Sequence, residues 1–259
     1  AWAREHAGYG AEVRNRGEFV EATRMALAEL KASHTGYFTA DDPRYHGLLS
    51  IFRGVVGAET VESDSIGIDV DPENFVRVVF AGSPAEASGI VRGDRILSAD
   101  GEPFRPVASL RGRAGKEVAL EIQSQRGMAP RPVRVVPRWI DVRDEWREHQ
   151  EKGSRIIEVN GKKIAYMPMF SAAGEGPEDS LRKAIADRFG GADALILDFR
   201  FGWGGASPSF LNLFNRTPPV LESIKPDGTT LRMDSQWRKP LYVLINGGTT
   251  SGKEVVADA

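Results

Sequence analysis

Cysteine is absent from all 259 residues. Disulfides, thiolate metal sites and thiol catalysis go with it, while the redox compartment stays open. No apolar run is long enough to span a bilayer, and the opening AWAREHAGYG has no signal-peptide pattern. A surplus of positive charge is also missing. Lys and Arg number 34 against 36 Asp and Glu, giving a net charge of −2. That balance predicts no nucleic-acid partner and no anionic membrane surface. Histidine is scarce, and His6, His46 and His149 have neither ligand-like spacing nor an H-E-x-x-H arrangement. They read as surface or packing residues, so no metal and no cofactor are expected.

What is present is enough for two or three domains, each with its own core. Both ends read as cut inside helical sequence, so a leader or anchor upstream is left open. Glu18–Lys31 is an amphipathic helix by the spacing of Phe19, Met25, Leu27 and Leu30. A second short helix is expected over His46–Arg53. From Ser65 the period changes to that of strands: Ile66–Val70, Phe75–Phe80 and Arg95–Ser98, with a short helix after Pro84. Ala108–Arg113 reads as helical, and Val118–Gln123 pairs with Val133–Val136. The charge run Asp141–Lys152 reads as a solvated helix face. Gly153–Met169 is a hairpin turning at Asn160-Gly161, and Asp179–Arg188 is a helix. The apolar run Ala194–Phe199 has the signature of a central strand, followed by a glycine loop and a helix near Pro208–Phe214. Gly202-x-Gly204-x-x-Ser207 lacks the third glycine of a dinucleotide loop and reads as a tight turn.

The last stretch, LYVLINGGTTSGKEVVADA, organises the chain. Leu241–Ile245 reads as a buried strand, Asn246-Gly247-Gly248 as a turn, and the residues from Gly252 as a helix with Glu254 in its first turn. Ser251 thus sits on a bend beside backbone N–H groups, where folds expose nucleophiles next to oxyanion holes. Two other readings compete. Ser251 and Glu254 fit a helix capping box. Gly247–Lys253 fits G-x-x-x-x-G-K, but Glu254 stands where a magnesium-binding hydroxyl is required.

Family patterns enter on longer strings. SIGIDV, then VVFAGSPAEASGIVRGDRILSADGEPF, then GKEVALEIQ resembles a PDZ domain over about residues 61–138. By that resemblance the loop Ser65-Ile66-Gly67-Ile68 offers amides to a peptide's terminal carboxylate. The order PDZ, LILDFRFGWGG, LINGGTTSGKE, with SHTGYF upstream, resembles the C-terminal processing and tricorn-type serine peptidases. The resemblance makes Ser251 the nucleophile of an S-x-x-E motif, with the oxyanion hole at Gly252 and Gly204 or Gly205. The tricorn type takes its base from a Ser-His pair, matched by Ser33-His34. The processing type uses a lysine further along than Ala259. The implied architecture is an α/β multidomain protein. A helical cap (1–60), a PDZ-like β module (61–138) and an incomplete crotonase/Clp-like peptidase core (139–259) are expected. The implied partners are polypeptides with free C-termini, with a homo-oligomer left open. The implied setting is periplasmic or otherwise extracytoplasmic, with a cytoplasmic one for tricorn-like members. An inactive PDZ scaffold is the alternative to an enzyme.

Overall fold

The structure, a computed structural model, describes residues 2–32, 34–174, 176–234 and 236–259. The chain forms two compact units, Ala1–Tyr45 and His46–Ala259. In the first unit, α1 (Trp2–Glu5) precedes α2 (Arg16–Ala28). The Asn15 side chain caps α2 by accepting from the Glu18 N–H at 3.0 Å. The apolar stripe read from the sequence is only partly used, since Met25 and Leu30 are exposed. Next come α3 (Pro43–Ile51) and α4 (Arg53–Val56).

A β module follows: β1 (Glu62–Ser65), β2 (Ile68–Val70), β3 (Val76–Val79), α5 (Pro84–Ala87), β4 (Arg95–Ala99), β5 (Glu102–Pro103), β6 (Val118–Gln123), β7 (Arg131–Val135) and β8 (Arg138–Asp141). Its largest sheet runs β5-β4-β6-β7, and β2 pairs with β3. On β6, Val118, Leu120 and Ile122 alternate inward and are at most 1% exposed. They pack with Ile66, Ile90, Ile96 and Phe104 in one core. The antiparallel pair β1–β8 joins the two ends of the module, Glu62 opposite Asp141 and Ser65 opposite Arg138. The helix expected at Ala108–Arg113 is a series of turns.

The rest is α6 (Val142–Gly153), β9 (Arg155–Val159), β10 (Lys162–Pro168), α7 (Gly176–Ala184) and β11 (Ala194–Asp198), then β12 (Leu221–Ile224), β13 (Thr230–Met233), β14 (Leu241–Leu244) and α8 (Gly252–Asp258). A π turn, Ile185–Phe189, extends α7, and a 3₁₀ helix covers Pro208–Phe214. The sheet order is β14-β11-β10-β9, with β10, β11 and β14 parallel and β9 antiparallel. That makes the chain a multidomain α/β protein. Leu195, Leu197, Phe199, Met167, Met169 and Phe210 fill its core. Each such side chain contributes about 1.5–3 kcal/mol on burial.

Two expectations fail here. β14 is not buried: Tyr242 is 59% exposed and Ile245 also 59%. It forms one border of the sheet, and its outward face is uncovered among the described residues. Helix α6 is not a solvated face either. Its charges mask an inward stripe of Val142, Glu145, Trp146, His149 and Gln150. Trp146 joins Val61, Phe80, Val142 and Phe170 in a cluster that ties the β module to the α/β sheet.

Two titratable groups lie on that stripe, one turn apart. Burial pushes the His149 imidazole down to about 4 from its ordinary 6.5, and its Nδ1 accepts the Ala81 N–H at 2.9 Å. Burial pushes the Glu145 carboxyl up to about 7 from 4.5. Between pH 4 and 6.5 the unfolded chain takes up the His149 proton and the folded chain does not, so stability falls with acid. Between pH 4.5 and 7 the folded chain keeps the Glu145 proton, so this group makes stability fall as pH rises. The slopes oppose each other. Asn can keep the acceptor at position 149 without titrating. Relative to the parent, His149→Asn should therefore gain about 2 kcal/mol in urea denaturation between pH 7 and pH 5. A gap that is the same at both pH values would place the His149 titration elsewhere.

Candidate active site

The parallel strands β10, β11 and β14 end level with one another: Pro168, Asp198 and Leu244 stand in register. The loops leaving carboxyl ends of parallel strands are where α/β sheets build their sites. Three segments meet there: 169–173, 199–206 and 245–254.

The second segment lies along the first. The Trp203 N–H donates to Phe170 O (2.7 Å) and the Ala172 N–H to Gly204 O (3.1 Å). The third is tied to the second through Asn246, whose Oδ1 accepts the N–H groups of Phe201 (3.1 Å) and Gly248 (3.0 Å). Thr249 Oγ1 accepts from the Asn246 N–H at 3.0 Å and donates to Phe199 O at 3.2 Å.

Ser251 follows this turn with φ 56° and ψ −130°. A non-glycine residue rarely adopts such a conformation, and the strain of about 1–3 kcal/mol persists only where the surroundings impose it. Glu254 is part of the imposition: its carboxylate accepts the Ser251 N–H at 2.5 Å, and its own N–H donates to Ser251 O at 2.8 Å. Both groups of the capping reading are thus engaged, yet the serine stands on a bend.

Gly204 lies directly against it. A Cβ at Gly204 would stand 2.6 Å from Ser251 Cβ, 2.6 Å from Thr250 O and 3.2 Å from the Gly252 nitrogen. Gly252 packs as closely on Ala206, where a Cβ would meet the carbonyl oxygen at 2.2 Å. Among the described residues the N–H groups of Gly204 and Gly252 have no hydrogen-bond partner. Gly204 is buried, so its unpaired donor is costly unless something else supplies an acceptor. Gly205 is exposed and packs on Ala173 instead.

Lys253 is 0% exposed. Its ammonium donates to Phe201 O (2.6 Å), Met169 O (3.2 Å) and Phe170 O (3.3 Å). Burial pulls it down to about 7, against the pull of Asp198. A phosphate loop needs its lysine aimed at a ligand, so that reading is removed. Asp198 accepts from Tyr166 Oη at 2.7 Å and from Arg200 Nε at 2.8 Å. Burial works to raise its carboxyl, but the Arg200 and Tyr166 bonds hold it below the usual range. A cavity of about 270 Å³ opens beside them, lined by Arg77, Arg92, His149, Arg155, Asp198 and Phe201 among others.

Of the residues singled out in the sequence, Ser251, Gly252 and Gly204 are brought together. His34 lies in the first unit, in an exposed turn after α2, and Ser33 lies outside the described residues. In the β module the Gly67 N–H donates to Ser65 Oγ at 2.9 Å, so a carboxylate taking that amide displaces an internal bond. Ile66 is buried and Ile68 begins β2. Sequence reasoning missed Asn246 and Lys253 as structural centres of the site. A lysine in a helix carries no mark of burial, whereas Asn before Gly-Gly does suggest a side chain bonded to its own turn.

Comparison with known proteins agrees with this anatomy. Residues 163–259 match Peptidase family S41 and residues 75–124 match the PDZ domain. A carboxyl-terminal-processing protease of Picosynechococcus is 28% identical over 95% of this chain and 60% of its own length. The carboxy-terminal processing protease CtpA of Bacillus subtilis is 26% identical over 80% of this chain and 44% of its own. The chain therefore spans about three fifths or less of these relatives. The solved photosystem II D1 C-terminal processing protease shares the fold. Its TM-score is 0.55 at 20% identity, over 99% of this chain and 71% of that one.

The Gly204 contact is directly testable. Gly204→Ala puts a methyl group into backbone atoms that cannot swing away, and should cost about 1–3 kcal/mol in urea denaturation. Gly191→Ala, where an added Cβ meets nothing within 4 Å, should stay within about 0.5 kcal/mol of the parent. Equal effects at the two positions would disprove the close packing of Gly204 on Ser251.

Proposed function

We propose that this chain, which joins a PDZ domain to a segment of peptidase family S41, cuts peptide bonds through an acyl-enzyme on Ser251. The observation that carries the reading is the strained serine at φ 56° beside two unpaired N–H groups, one of them buried. A donor pair in that position suits the oxyanion of a tetrahedral intermediate. Ser251 Oγ attacks the scissile carbonyl and yields its proton to a general base. The amides of Gly252 and Gly204 take the oxyanion, with Gly205 the weaker candidate because it faces solvent. The base then returns the proton to the departing amine, and water repeats the sequence on the acyl-enzyme.

The base we propose is His34, of the Ser33-His34 pair, because an imidazole nitrogen within reach of a serine hydroxyl can take its proton and later return it. The resemblance to the processing type implies a second reading, a lysine further along than Ala259. Such a lysine must lose its proton through burial before it can act.

The substrate class is a polypeptide with a free C-terminus, held by the loop Ser65-Ile66-Gly67-Ile68 and added to the sheet as a strand. The finer architecture we favour is a helical cap, a PDZ module spanning residues 61–138 and a crotonase/Clp-like core. An extracytoplasmic setting suits the processing branch. Among the described residues no helix is long and apolar enough to cross a membrane, and no group of acidic or histidine residues could hold a metal.

Two experiments on the full-length protein test this. A fluorophosphonate probe should label it and fail to label Ser251→Ala, and labelling that survives the substitution removes Ser251 from the role. His34→Ala should then lower kcat by about 10²–10⁴ with little change in KM. A folded variant with near-normal kcat would assign the proton transfer to the lysine. Separately, an apolar-ended peptide should bind more tightly as its free acid than as its amide, because only the acid makes charge-assisted bonds to the loop. Equal affinity for both would take the carboxylate away from residues 65–68.

A further inference from the structure

Among the described residues Lys253 is the one buried ammonium near the elbow, and the chemistry of peptide cleavage described above does not use it. Its three N–H donors match three carbonyls drawn from both segments that flank Ser251's neighbours: Met169 and Phe170 on one, Phe201 on the other. Phe201 is itself held at φ 59° and opens the loop that carries Gly204. From the other side, the Phe201 N–H is held by Asn246 of the elbow. Phe201's ring is flanked by the guanidinium groups of Arg92 (5.2 Å) and Arg77 (5.7 Å). The strained peptide unit at the start of the glycine loop is therefore fixed from both ends, and Lys253 supplies the carbonyl end.

We infer that Lys253 is a positioning residue: its ammonium clamps the loop Phe201–Ala206 so that the Gly204 N–H faces the oxyanion that forms when Ser251 attacks. The inference rests on the peptidase reading for its catalytic consequence, but not for the clamp. The protonated amine suits the place on simple counting. A neutral amine has two hydrogens to donate, and three carbonyls face it. Those carbonyls, with Asp198 close enough to favour the charge, offset part of the loss of hydration. Lys253 sits two residues after Ser251 on α8, so any shift of the clamp moves nucleophile and oxyanion donor relative to each other. Misplacement by about 1 Å at such a site costs on the order of 10²-fold in rate.

The test compares wild type with Lys253→Met, which keeps the stem's volume and removes every donor, in the full-length protein. Hydrogen exchange of amides 202–206 should rise at least about tenfold, while β11 amides stay protected. kcat should fall about 10–100-fold, with KM within about threefold and peptide binding to the PDZ loop unchanged. Unchanged exchange in the loop overturns the clamp whatever happens to activity. Faster exchange with unchanged kcat overturns its role in positioning. If wild type neither cleaves nor takes the fluorophosphonate probe, the peptidase reading fails, and the exchange result still decides the clamp. Should the Met variant not fold, Lys253→Arg serves. It keeps the charge in a planar fork that cannot meet three separate carbonyls. A folded Arg variant with wild-type exchange and kcat would refute the proposal, and intermediate values of both would support it.

Discussion

The backbone at Ser251 is the constraint on which the rest of the site depends. A serine at φ 56° and ψ −130° holds strain that an isolated segment would release. It persists because everything around it is already committed. Glu254 takes its N–H, Asn246 and Thr249 fix the turn before it, and Gly204 fills the space behind it. The constraint propagates backwards along the chain. Thr249 is bonded to Phe199 O, Phe199 is a 0% exposed core residue, and β11 lies between two parallel neighbours. A strained bend of this kind needs a rigid sheet beneath it, and a five-residue strand of Ala-Leu-Ile-Leu-Asp provides one.

The same rigidity reaches the β module through aromatic packing. Phe170 belongs to the first site segment, since its carbonyl serves both Trp203 and Lys253. Its ring packs edge-on against Phe80 of the β module at 4.8 Å, and against Trp146 of α6 at 5.9 Å. Trp203, in the glycine loop, lies 6.1 Å from Trp146 and lies close enough to α3 to exclude any side chain at Gly47. Aromatic pairs of this geometry add about 0.5–1.5 kcal/mol each beyond their burial. A movement of the β module would therefore be felt at the Phe170 carbonyl before it was felt at the sheet.

Strong periodicity and turn chemistry made most of this legible in the sequence. The run Ala194–Phe199, the Asn160-Gly161 hairpin and the pair β6–β7 follow from local pattern, and all three stand in the structure. So does the bend at Ser251, read from a strand, a glycine turn and a helix start. Signals that depend on tertiary context were not legible. The inward stripe of α6 sets Glu145, His149 and Gln150 beside Val142 and Trp146, and composition assigns a stretch so rich in charge to solvent. The ribbon β1–β8 joins positions almost eighty residues apart, and no local pattern announces that. Leu221–Ile224 and Thr230–Met233 form a hairpin around Asp227-Gly228, and the first strand, Leu-Glu-Ser-Ile, lacks the apolar alternation that marks a half-buried pair. Leu241–Ile245 has the composition of a central buried strand, yet the strand Leu241–Leu244 lies at the border of the sheet with no buried residue.

Electrostatics then narrows where the serine's proton can go. Each titratable group around the elbow is already committed. Asp198 is held ionised but spent on Arg200 and Tyr166, and the Tyr166 hydroxyl is itself pushed up to about 12. Glu254 is bonded to the backbone of Ser251, and Lys253 has a carbonyl for every proton. His149 is neutral near pH 7, which suits a base, yet the Nδ1 that accepts is filled by the Ala81 N–H. Its other nitrogen carries the proton in that tautomer and cannot accept one. Asp198, Lys253 and His149 are thus engaged elsewhere, and Glu254 holds the backbone of the serine itself. On the proposed peptidase reading, the acceptor for the serine proton comes from a different part of the polypeptide. His34 and a lysine further along the chain are the two assignments proposed for it. On that reading the strained bend presents the serine beside two unpaired amides, and the base is a separate requirement that the bend does not itself meet.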